Sequence, residues 1–98
     1  MTTTPEGKVK AKVKRILDNH KVYHFSPPGM GLGRAGIPDI IACYDGRFIG
    51  IECKAGKGQP TLLQSRELGR IDMAGGKTFV LRETNTNELE DYLCKSTN

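Results

Sequence analysis

IPDIIACYDGRFIGIECK, residues 37–54, holds two apolar, β-branched runs, Ile40–Tyr44 and Arg47–Cys53, on either side of Asp45-Gly46. Asp-Gly between such runs signals a two-residue hairpin turn, because both turn positions need positive φ. Both faces of this hairpin are apolar, so it requires cover on both sides. The turn also sets a register. If Tyr44 pairs with Arg47, counting outward brings Asp39 directly opposite Glu52 on one face. Opposed residues have Cβ atoms about 4.5–5.5 Å apart, and like charges there are destabilising unless something compensates. A divalent cation is the natural compensation, and Lys54, two residues beyond Glu52, points from the same face. Acids and a Glu-x-Lys are also common on solvated sheet edges, and a bulge at the turn would shift the register. The joint placement of all three beside Ile41, Cys43 and Phe48 argues for function over a bland surface.

Working outward, Thr4-Pro5-Glu6 reads as a helix start, with Thr4 as N-cap, Pro5 at the first helical position and an acid in the first turn. A helix to about Asn19 follows, with Val9, Val13, Ile16 and Leu17 as its buried stripe. Val22 to Phe25 reads as a short strand. Ser26 to Ile37, SPPGMGLGRAGI, is a loop whose Pro and Gly density supports no regular element. Its glycines lead into Pro-Asp and a strand rather than a helix N-terminus, which excludes a dinucleotide or P-loop reading. After the hairpin, Thr61 begins a helix to about Ala74, with Leu63, Leu68 and Ile71 inward and Gly75-Gly76 as its stop. Lys77 to Arg82 is a further strand, and Asn85 caps a last helix containing Leu89, Tyr92 and Leu93. The order α-β-β-β-α-β-α makes an α/β domain with a mixed central sheet flanked by helices.

Composition bounds the function. At 98 residues the chain has room for one domain, residues 1–98. No apolar run approaches the roughly 20 residues needed to span a bilayer, and the N-terminus lacks a signal-peptide core, so the expected location is the cytoplasm. The three cysteines, Cys43, Cys53 and Cys94, are widely spaced, and suggest neither a disulfide framework nor a zinc site. A net charge of +4 and a pI of 9.1 favour polyanionic partners, though such charge also serves solubility alone.

Gly36-Ile37-Pro38-Asp39 followed by Glu52-Cys53-Lys54 resembles the PD-(D/E)XK nuclease superfamily, and within it the VRR-NUC (virus-type replication-repair nuclease) branch. The resemblance runs from about Glu6 to Arg82. Pro-Asp with Glu-x-Lys is a loose motif, but Gly36, Gln64 in the following helix and the closing Gly-Gly strand add specificity. It implies a single restriction-endonuclease-like domain. It also implies that Asp39, Glu52 and the backbone carbonyl of Cys53 ligate Mg2+ or Mn2+ while Lys54 positions the attacking water. Glu6 matches the first-helix acid that assists metal or water binding; its plain alternative is a favourable helix-dipole charge. Gln64 matches a further active-site position, and three residues after Thr61 it equally fits a capping box. Cys53 replaces the aliphatic residue usual between Glu and Lys, and packs as a small hydrophobe.

Arg34, Lys57, Lys8 and Lys12 are candidates for phosphate contacts, while His20 and His24 read as structural or solvated and Tyr23 as either packed or substrate-facing. The resemblance implies a magnesium- or manganese-dependent DNA endonuclease that leaves a 5′-phosphate and a 3′-hydroxyl. Without room for a recognition domain, specificity is expected to rest on DNA structure, with branched or Holliday-junction DNA as substrate and a homodimer presenting two sites. A phage or bacterial replication, repair or recombination setting suits the family. The rivals are a non-catalytic DNA-binding accessory module with a nuclease fold, and a nuclease directed at RNA.

Overall fold

The computed structural model describes residues 4–28 and 35–95. Its elements run α1 (Pro5–Asn19), β1 (Tyr23–Phe25), β2 (Ile40–Tyr44), β3 (Arg47–Cys53), α2 (Leu62–Met73), β4 (Lys77–Leu81) and α3 (Asn87–Lys95), the order expected from the sequence. The four strands form one mixed sheet in the order β1-β2-β3-β4. β1–β2 and β2–β3 are antiparallel, and β3 returns through α2 to a parallel β4. The hairpin has the expected register, Tyr44 opposite Arg47 through Ile40 opposite Ile51, with no bulge. Asp45 and Gly46 take φ of 54° and 79°, both positive as a type I′ turn requires.

The local signals act as their chemistry demands. Thr4 Oγ1 accepts the Gly7 N–H at 3.0 Å, with Pro5 in the first turn of α1. α2 ends in a Schellman turn: Gly76 N–H donates to Ile71 O and Gly75 N–H to Asp72 O, with Gly75 at φ 97°. α1 ends in the same way, Val22 N–H to Leu17 O and Lys21 N–H to Asp18 O, but with Lys21 rather than glycine at positive φ. Asn85 departs from the expected cap. Its side-chain oxygen accepts Arg82 N–H and its amide donates to Val80 O, so it ties the exit of β4 back on itself. The buried Thr86 directly precedes α3 instead.

One face of the sheet is fully covered. Ile40, Ala42, Ile49, Ile51, Cys53, Phe79 and Leu81 pack against Val9, Val13, Ile16 and Leu17 of α1 and Leu89 and Leu93 of α3. Among the described residues, the other face is covered by Pro38 beside Gly50 and where α2 crosses β3 and β4. There Ile71 lies over Gly50 and Gly76, at positions where an added Cβ would stand 2.7 Å from its methyl groups. Among the described residues, the expected cover on both faces of the hairpin is therefore found at Gly50 and Glu52 of β3 and not at Phe48 or Cys43. Tyr23, Phe25 and Phe48 stay 71%, 47% and 48% exposed. Tyr23 and Phe25 lie on the edge strand β1, away from the crossover helix that joins β3 to β4, and Phe48 lies beside the hairpin turn at the start of β3. Leu63, expected inward, is 48% exposed, while Leu68 is buried and Ile71 half-buried. Glu67 is buried on α2 and pairs with Arg70 at 3.4 Å.

Candidate active site

The site forms where β2 begins and β3 ends. Asp39 stands one residue before β2 and Glu52 one residue before the end of β3, and the ladder continues to make them opposite. Asp39 is held from two sides: its Oδ2 accepts the Cys53 N–H at 2.8 Å, and its Oδ1 lies 3.8 Å from Lys10 Nζ. Glu52 is 1% exposed, and among the described residues neither of its carboxyl oxygens has a hydrogen-bond partner. Lys54 Nζ is 3.6 Å from Glu52 Oε2. Burial, and then the charge of Asp39, push the Glu52 carboxyl up to about 8. The first of these is the cost of ionising a group removed from water, the second the repulsion of a like charge.

A buried carboxyl with both oxygens lacking hydrogen bonds is an unstable arrangement unless something binds there. Two convergent carboxylates next to a lysine offer hard oxygen donors, and those suit Mg2+ or Mn2+, which take one or two carboxylates plus waters and phosphate oxygens. The residues present therefore fit such an ion. The Cys53 side chain turns away into the core, as its position between Glu52 and Lys54 dictates, and burial raises its thiol to about 12.

The remaining candidates divide by element. Glu6 is half-buried in the first turn of α1, and its charge reaches the Cys53 thiol, as does that of Lys10. Lys10 escaped the sequence reading; the signal was its place one helical turn beyond Glu6, on the same side of the stripe. Gln64 sits in a complete capping box. Its Oε1 accepts the Thr61 N–H at 2.8 Å, and its own N–H donates to Thr61 Oγ1 at 3.2 Å. The first turn of α2 still adjoins the site, because Gly36, at φ 87°, packs so closely that a Cβ would stand 2.5 Å from Leu63 O.

Lys8 and Lys12 are exposed on the flank of α1 away from Lys10, beside Arg15 and Glu83, and do not join the carboxylates. Lys57 is exposed in the turn after Lys54. Arg34 lies outside the described residues. Arg82, also missed, fixes the connection after the active strand: its Nη2 and Nε donate to Gly58 O at 2.7 and 3.1 Å, while Glu83 Oε1 accepts Gly56 N–H at 2.8 Å.

A four-stranded mixed sheet with three helices, carrying opposed carboxylates and a lysine at one strand end, is consistent with a restriction-endonuclease-like fold. No family model matches the chain. It is 40% identical over 60 residues to a protein of Acyrthosiphon pisum secondary endosymbiont phage 1 described as "Putative nuclease p44". The match covers 60% of this chain and 60% of that protein, so the chain spans about three fifths of the relative's length. Among the described residues no helix is long and apolar enough to cross a membrane.

Proposed function

We propose that the chain is a metal-dependent nuclease of the VRR-NUC type that hydrolyses phosphodiester bonds in DNA. The observation that carries this is Glu52: a carboxyl 1% exposed, without a hydrogen bond to either oxygen among the described residues, opposite Asp39 and 3.6 Å from Lys54. The likeness to a phage protein described as a nuclease supports it independently.

Asp39 and Glu52 would hold Mg2+ or Mn2+, joined by the Cys53 carbonyl and, through water, by Glu6. When bound, such an ion lowers the pKa of water and offsets charge on the scissile phosphate. The Cys53 N–H and Lys10 fix the orientation of Asp39. The Lys54 ammonium, anchored on Glu52, orients the attacking water and stabilises the negative charge that develops on the phosphate oxygens. Gln64, engaged through its oxygen in the helix cap, places the first turn of α2 beside Asp39 and leaves its amide to the substrate. Arg34, Lys57, Lys8 and Lys12 are the proposed phosphate contacts, and branched DNA is the proposed substrate. A homodimer is proposed as well; the exposure of Tyr23, Phe25 and Phe48 on one face of the sheet supports a partner surface there.

The test is to incubate the chain and its Asp39→Ala and Lys54→Ala variants with linear duplex, single-stranded, flap and four-way-junction DNA and with RNA, in Mg2+, Mn2+ or EDTA. Metal-dependent cutting lost in both variants is the expected result. Binding without cutting in either metal would replace this reading with that of an accessory module. Elution as a monomer at micromolar concentration would remove the dimer.

A further inference from the structure

We propose that His20, Glu90 and Cys94 form a second metal site, separate from Asp39 and Glu52, that takes a transition-metal ion of the zinc class. His20 is the C-cap of α1, and Glu90 and Cys94 stand one turn apart on the same side of α3. His20 Nε2 is 2.7 Å from Glu90 Oε1, and the ligand atoms of all three residues lie within 4.8 Å of one another. His20 and Glu90 are half-buried and Cys94 is exposed, which leaves the fourth coordination position to water.

The backbone fixes this arrangement before any ion arrives. The turn at Lys21, with φ 58°, sets the end of α1, and the buried Leu89 and Leu93 lock the register of α3. A tetrahedral ion at about 2.0–2.2 Å from nitrogen and oxygen and about 2.3 Å from sulfur needs donors about 3.3 to 3.6 Å apart. The nitrogen–oxygen contact must open by roughly 0.6 Å and the sulfur close in by at most about 1.2 Å, both within reach of side-chain rotation. The ion binds the imidazole at Nε2 in the tautomer that keeps its proton on Nδ1, and displaces the thiol proton, which passes to solvent.

Ligand chemistry separates the two sites. Thiolate and imidazole select zinc, cobalt or nickel over magnesium, whereas an all-oxygen pair does the reverse. The consequence is structural: an ion here ties the end of α1 to α3, on which the covered face of the sheet depends.

Co2+ titration of the full chain tests this. A sulfur-to-cobalt charge-transfer band that saturates at one equivalent is expected, retained in Glu52→Gln and Cys43→Ser and absent in Cys94→Ser. His20→Ala and Glu90→Gln should each weaken binding by more than the roughly 10-fold that an outer-shell change costs. Zn2+ at 100 times its Kd should raise Tm by roughly 10 °C or more in the native chain, and should not in Cys94→Ser, whose metal-free Tm serves as the fold control. A missing band, or one that persists in Cys94→Ser, overturns the proposal. Neither result depends on nuclease activity.

Discussion

Replacing Glu52 by Gln removes a charge while keeping the shape of a side chain that is 1% exposed. The folded chain keeps the Glu52 proton up to about pH 8, because burial and then Asp39 oppose ionisation, whereas an ordinary glutamate gives it up near 4.5. Between those values the unfolded chain binds fewer protons than the folded one. Stability is therefore full below about 4.5 and falls as pH rises through about 8. At about 1.36 kcal/mol for each pH unit, the loss is at most about 5 kcal/mol. Glutamine never ionises, so the metal-free variant should match the native chain at pH 5 and exceed it by about 2–5 kcal/mol at pH 9. For a domain of this size that is a Tm difference of roughly 10 °C or more. Urea denaturation in EDTA at pH 5, 7 and 9, followed by circular dichroism, reads the difference directly. Added Mg2+ at pH 9 should then stabilise the native chain and leave the variant unchanged. Parallel pH profiles for the two proteins would refute the reasoning, since they would mean that Glu52 ionises as freely folded as unfolded.

Gly36→Ala should destabilise the fold by about 2 kcal/mol or more, through positive φ and a clash with the Leu63 carbonyl; chemical denaturation checks this, and a loss under 0.5 kcal/mol would deny the close approach. Gln64→Ala should cost about 1 kcal/mol from the cap, whereas Gln64→Glu should retain Tm. If cutting falls in Gln64→Glu at unchanged Tm, the side chain acts beyond the cap; if it does not, the cap is its whole role. Lys10→Met should lower kcat by about 10-fold or more with little change in Tm, because it loosens Asp39 without touching the core; unchanged turnover would remove Lys10 from the site.

What the residues determined by themselves was local. The Asp45-Gly46 turn admits one register, and that register alone puts Asp39 opposite Glu52 and Lys54 on their face. Caps and stops at Thr4, Thr61 and Gly75 act through neighbours a few residues away, so the bounds of α1, β2, β3 and α2 were legible. What tertiary structure decided depends on which elements meet. Lys10 reaches Asp39 only because α1 packs across the end of β3, and the carboxyl of Glu52 loses its water only when the sheet and helices close around it. The exposure of Tyr23 and Phe25 on β1 follows from α2 packing on β3 and β4. His20 and Cys94 are 74 residues apart in the chain and share no spacing pattern, yet the packing of α1 against α3 brings their ligand atoms within 4.8 Å. Hydrogen bonds across a turn are written in adjacent residues, whereas desolvation and long-range charge contacts come into being only when distant segments pack.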